Sequence, residues 1–333
     1  MNFDKYNKRN NPMAMLASLV KLRGFLLAAQ LPIIVLTLCL ISVYITPLFL
    51  SPMNLKSLLR EVATTGVIAI GAFFVMTERG VDLSIDGIVP AASILVANWV
   101  YLEIMPVWVT ITLIIGFGML VGAANGVLTT YGKMESFVAT LALMITLKGF
   151  AYYYGSVVGI RYVMVNDPVM LAIGAGRIFN TIPVPVVIWL GIAILSSFFL
   201  RDTIVGRRMV AVGGNPDATR TAGLKNNNYI ILAFMLSGGL AVVCGLMVTG
   251  LMGMGSPLIG VGYSLDAIAA VVVGGGSFRG GRGTVIGVVL GAVILGIISN
   301  LLNLMEVAEY PKMMIKGGVI IVAVLVRDIN RSE

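Results

Sequence analysis

Apolar residues run along this chain in long blocks, separated by short polar and glycine-containing breaks. A helix crossing hydrocarbon needs about 20 mostly apolar residues, because every backbone polar group must be bonded within the segment. Ten stretches read this way: Phe25–Ile45, Val62–Thr77, Gly87–Tyr101, Val107–Leu128, Phe137–Tyr154, Val184–Leu200, Tyr229–Met252, Ala267–Gly274, Val285–Leu304 and Met313–Val326. Ala267–Gly274 is too short to span alone; it borrows flanking residues or stands as a half-helix lining a cavity. The pattern predicts an all-α polytopic membrane protein with about ten transmembrane helices.

Orientation follows from Lys and Arg in the short loops. With the N and C termini both cytoplasmic, sixteen of the 23 Lys and Arg residues fall on inner segments and six on outer loops, while Lys148 lies within a span. The net charge of +8 is then a mark of topology and not of nucleic-acid binding. The basic stretch before Phe25–Ile45 resembles a signal peptide, but the apolar run is too long for one and reads as an uncleaved first helix.

Composition narrows the chemistry. At 58% hydrophobic and 11% charged, the chain carries less than half the charge of a soluble domain, so soluble, disordered and nucleic-acid-binding classes are excluded. With no His and only the isolated Cys39 and Cys244, neither His/Cys metal sites nor His-based catalytic triads can be built. The 39 glycines include Gly118, Gly122, Gly126, Gly287, Gly291 and Gly296 within spans, where small residues let helices approach closely.

Ionisable groups at membrane depth are costly and each asks for a reason. Lys148 is expected to snorkel outward, and Glu61, Glu103, Asp266, Glu306 and Glu309 all fall at outer ends of spans. No carboxylate reads as mid-span, which argues against a proton-coupled carrier and leaves Na⁺ coupling through carbonyls open. Tyr101, Trp108, Tyr152–Tyr154 and Trp189 read as interface anchors.

Two inner loops stand out. Glu78–Asp86 is a charged turn in which Asp82 or Ser84 caps the next helix. Arg201–Asn228 is the longest inner connection; Asn215-Pro216-Asp217 starts a short helix over Ala218–Ala222, and Gly223 stops it. Such a capped helix suits the docking of a soluble partner.

At this segment a resemblance becomes specific. Gly206-Arg207-Arg208 with Ala211–Leu224 looks like the coupling loop of bacterial ABC-importer permeases for simple sugars, the ribose/xylose/arabinose/galactose group and its autoinducer-2 relatives. Gly80–Ser84, Ser136–Leu141, Gly262–Gly275 and Gly280–Thr284 resemble other landmarks of that family in its order, and the likeness covers Leu55 to Asp328. The C-terminal part is most like ribose-type permeases. Thr77-Glu78-Arg79 stands where the family usually has small residues, and Asp86 where it usually has Gly.

The resemblance implies a type II-like ABC importer permease without catalytic residues or a metal site. It divides the chain into a cytoplasmic segment 1–24, a transmembrane permease domain 25–326 with its coupling loop at 201–228, and a tail 327–333. Gly206, Arg207, Arg208, Asn215, Pro216, Asp217, Arg220 and Gly223 would meet an ABC ATPase subunit; Gly80, Asp82, Leu83, Ser84, Ser136 and Phe137 would form an inner gate. ATP and Mg would sit on the ATPase, and no cofactor on this chain. A second permease subunit and a periplasmic sugar-binding protein, docking on outer loops such as Ser156–Pro183, complete the implied partners, within the lipid of the inner membrane. The alternative is an ion-coupled secondary transporter of a small polar solute acting alone.

Overall fold

The computed structural model describes residues 30–157 and 163–308, with 310–315, 317, 318 and 321 beyond them. The segments 1–24 and 327–333 and most of Met313–Val326 lie outside the described residues. In chain order the helices are α1 (Gln30–Ile45), α2 (Pro52–Thr77), α3 (Ile85–Tyr101), α4 (Val107–Thr130), α5 (Ser136–Val157), α6 (Pro168–Ala175), α7 (Val184–Asp202), α8 (Ile204–Gly214), α9 (Pro216–Thr221), α10 (Asn226–Met252), α11 (Tyr263–Val273) and α12 (Val285–Leu304). Two ladders of two residues each, 163–164 with 254–255 and 177–178 with 182–183, are the strands among the described residues.

Six of these helices, α2, α4, α5, α7, α10 and α12, are long and apolar enough to cross a membrane; α1, α3 and α11 are shorter apolar helices. All nine match spans expected from the pattern, with α2 beginning ten residues earlier than expected, at Pro52 behind its Ser51 cap. Burial sorts them. In their most apolar stretches α2, α12 and α10 are 72%, 67% and 61% buried, against 28% for α4 and α7 and 22% for α5, so the first three are central and the others peripheral. On α4, Gly118, Gly122 and Gly126 lie against the backbone of α10 at Gly238, Phe234 and Ile231, the close crossing that small residues permit. Where α2 meets α12, Asn54 and Asn300 exchange amide hydrogen bonds of 2.9 and 2.8 Å.

The centre is built from two helix–break–helix segments of opposite direction, whose two helices are separated by others: α10 packs on both α2 and α3, and α11 packs on α2 and α12. Helix α2, about 39 Å long, is followed by the irregular stretch 80–84 and the shorter α3, about 25 Å. Helix α10, about 40 Å long, is followed by the irregular stretch 253–262 and α11, about 16 Å. Helix α11 is thus the half-helix that the short run 267–274 suggested. The C-terminal end of α2 lies beside α8, since Gly213 of α8 packs on the Thr77 carbonyl and Arg79 reaches the last turn of α8; Gly281 N–H, from the loop before α12, also donates to Thr77 O (2.9 Å). This is the α8 end of the bundle.

Trp189 and Tyr154 correct the expectation of interface anchoring. Trp189 is buried against Gly66 of α2, and the Tyr154 hydroxyl donates to Asn98 Oδ1 (3.1 Å), whereas Tyr101, Trp108, Tyr152 and Tyr153 are exposed.

Candidate coupling site

The connection from α7 to α10 is a folded elbow. Thr203 ends α7 and caps α8, its Oγ1 accepting from Gly206 N–H (3.0 Å). Gly206 is buried against the Phe199 carbonyl, at a separation no Cβ could share. Helix α8, eleven residues long, stands where only loop was expected. The α9 helix is where it was expected, at Pro216–Thr221. Asn215 Oδ1 accepts from Ala218 N–H (3.0 Å), with Pro216 in the first turn.

The far end of α9 closes by the paired bonds of a Schellman motif: Gly223 N–H to Arg220 O and Leu224 N–H to Thr219 O, both 3.0 Å. Gly223 sits at φ +83°, the left-handed conformation this cap needs. From α10, Asn226 Nδ2 donates to Pro216 O (2.8 Å) and its Oδ1 accepts from Thr219 Oγ1 (3.2 Å), so α9 is tied at both ends.

The eight residues expected to meet a partner divide by environment. Asp217, Arg208 and Arg220 are exposed, and Asn215, Pro216 and Gly223 are occupied in shaping α9. Arg207 is also exposed, but its Nη1 donates to the carbonyls of Asp202 (3.0 Å) and Arg201 (3.4 Å), completing the end of α7. A cleft of about 390 Å³ opens beside the elbow, lined by Val205, Arg208, Gly223, Lys225, Asn228 and Tyr229.

A joint connects the elbow to the centre. Arg79 donates from Nε to Gly213 O (2.7 Å) and from Nη2 to Gly214 O (2.8 Å), gripping the last carbonyls of α8. Beside it the Glu78 carboxyl is buried with neither oxygen hydrogen-bonded. Burial pushes it up to about 8, against the opposing pull of the Arg79 charge.

The stretch after the joint is not the solvated turn the sequence suggested. Glu78, Asp82, Ser84 and Asp86 are all buried. Asp82 Oδ1 accepts from Ser84 N–H (2.9 Å) and from Ser84 Oγ, while Oδ2 accepts from Ser237 Oγ on α10 (2.7 Å). Asn125 on α4 donates to Ser84 Oγ (2.8 Å), and Ser136 Oγ at the start of α5 accepts from Val81 N–H (3.0 Å). The structure therefore brings Gly80–Ser84 and Ser136 together as expected. Phe137 is 53% exposed, unlike the buried residues of that network.

Asp86 carries the larger correction. In the first turn of α3, its Oδ2 accepts from Gly262 N–H (2.9 Å) and its Oδ1 from Ser264 N–H (2.6 Å), at the start of α11. One carboxylate thus serves the positive N-terminal ends of two helices. Lys148 on α5, expected to snorkel, instead lies 3.7 Å from Asp86 Oδ2. Two carboxylates sit inside the bundle where none was expected; their partners, up to 178 residues away, left no local signal.

A protein-family model described as branched-chain amino acid transport system / permease component matches residues 54–324. The ribose import permease protein of Haemophilus influenzae is 36% identical over 303 residues, covering 90% of this chain and 93% of the relative. That of Bacillus subtilis is 37% identical over 290 residues, with 86% and 88% covered. An L-arabinose ABC transporter permease protein of Azospirillum brasilense is 33% identical over 293 residues, with 86% and 83% covered. No solved structure matches the chain. With apolar helices of spanning length and a family match over most of its length, this chain is an inner-membrane transport permease and belongs to the branched-chain amino acid transport system / permease component family.

Proposed function

We propose that this chain is the non-catalytic, membrane-spanning subunit of an ATP-driven importer that admits a simple sugar, a pentose or a hexose. Both termini and the α8 end face the cytoplasm, and the chain crosses the membrane about ten times. The α8–α9 elbow receives an ABC ATPase subunit carrying ATP and Mg. A second permease subunit completes the pathway, and a periplasmic binding protein delivers the sugar from outside.

The observation that carries this reading is the mechanical continuity of the elbow. Helix α9 is capped at both ends and tied to α10 by Asn226, so it moves as one piece. Its motion passes through α8 to Arg79, and from Arg79 into Gly80–Ser84, which is bonded to α4, α5 and α10. Exposed Arg208, Asp217 and Arg220 offer the ATPase charged partners. The relatives described as ribose import and L-arabinose ABC transporter permeases supply the solute class. Asp82 and Asp86 do not favour ion coupling, because every oxygen of the two already accepts a hydrogen bond.

Reconstitution in liposomes tests the proposal. ATP-dependent sugar uptake is expected only when an ATPase subunit and a sugar-binding protein are added to the full chain. Concentrative uptake by the chain alone on an ion gradient would overturn it in favour of a secondary transporter.

A further inference from the structure

At the α8 end, the end of α7 and the start of α12 enclose a cavity of about 240 Å³ that contains both Arg201 and Arg282. Its walls are mainly apolar, with Phe73, Leu200, Val285 and Ile286 among them. Both arginines are exposed, and neither makes a side-chain hydrogen bond or ion pair among the described residues. Two unpaired guanidiniums lining one apolar cavity call for an anion.

The surface leading away from the cavity says which kind. On α7, Val187, Leu190, Ile194 and Phe198 recur every three or four residues in line with Arg201, and they are 44%, 44%, 69% and 59% exposed. From Val187 to Phe198 this stripe is about 17 Å long at 1.5 Å per residue, on the scale of the roughly 15 Å hydrocarbon half of a bilayer. Ile286 on α12, 67% exposed, continues the apolar surface on the other side of the cavity. A free anion would use the arginines and leave the stripe idle. A lipid uses both.

We infer that the α7–α12 cavity binds an anionic phospholipid, its phosphate between Arg201 and Arg282 and an acyl chain along the Val187–Phe198 stripe. The inference needs only the chain's place in a membrane and is independent of the solute carried.

Native mass spectrometry of the full chain in detergent, titrated with phosphatidylglycerol or phosphatidylethanolamine, tests it. Each arginine near a net-anionic headgroup contributes about fivefold in affinity, so the first phosphatidylglycerol should bind up to about 25-fold tighter than phosphatidylethanolamine, whose ammonium offsets its phosphate. The double variant R201Q/R282Q should abolish that preference. R279Q, which removes an exposed arginine of the same loop that does not line the cavity, should keep it. Excess inorganic phosphate should not displace the lipid. Equal binding of the two lipids, which is read on the unaltered chain, would overturn the inference. So would an equal loss in R279Q, displacement by phosphate alone, or expulsion of the lipid by an added ATPase subunit or a second copy of the chain.

Discussion

Glu78→Gln probes the joint between α2 and α8 without changing its shape. Both Glu78 oxygens are buried without a hydrogen bond, and burial moves the carboxyl from 4.5 to about 8. The folded state therefore holds the proton more tightly than the unfolded chain does. Below about pH 4.5 both states are protonated and the group is neutral to stability. Between there and about 8 the unfolded chain alone gives up its proton, so stability falls as pH rises, by about 1.4 kcal/mol per pH unit. Above about 8 the full penalty stands, up to roughly 5 kcal/mol. Gln carries no such penalty. Thermal unfolding of the detergent-solubilised chain, followed from about pH 5 to about pH 9, should show wild type and variant together at the acid end. The variant should then stay several degrees higher at the alkaline end. Parallel curves over the whole range would refute the reasoning, because they would mean that the carboxyl finds water or a cation in the folded joint.

At Gly223 no atom lies within 4 Å of the position a Cβ would take, so any substitution there is penalised by its backbone alone. Sugar uptake should fall in the order Gly223, Asn, Ala, Val, with Val worth roughly 2 kcal/mol or more at φ +83° and blocking uptake while the chain still inserts. Normal uptake by Gly223→Val would sink the coupling role of α9. For the intramembrane pair, Asp86→Asn and Lys148→Met should each destabilise the chain by about 1–3 kcal/mol. The double variant should lose less than their sum, as a double-mutant cycle on unfolding midpoints would read. Asn54→Leu should strand the Asn300 amide at about 1–3 kcal/mol, and Asn54→Leu/Asn300→Leu should recover most of that loss; a double variant worse than the single would refute the exchanged amide bonds.

Local signals served the sequence reading well. The caps of α9 were legible because Asn215-Pro216 and Gly223 act within one turn of chain. The apolar runs located nine helices for the same reason, since each run pays its own hydrogen bonds inside the segment. Helix α8 was not legible, because Gly206, Gly213 and Gly214 lower its propensity and tertiary packing against α7 and Arg79 restores it. The stretch 78–86 looked like a surface turn because its composition is that of one. Only Ser237, Gly262 and Ser264, brought in by α10 and α11, convert Asp82 and Asp86 from loop residues into core residues. Lys148 was misjudged with them, since a cation whose counter-ion is 62 positions upstream shows no helical spacing to reveal it.

The sharing of Asp86 between the starts of α3 and α11 bears on how such permeases can be recombined. The start of α11 depends on Asp86 of α3 to accept its N–H groups, and Asp86 depends on Lys148 of α5 for its counter-charge, so neither segment is a module in its own right. A chimera that imports α10–α11 alone from a relative with glycine at the position of Asp86 would still meet this acid, but one that imports α2–α3 would leave the opening turn of α11 bare and Lys148 facing it. Grafts should therefore succeed when α2–α3, α10–α11 and the lysine travel as a set.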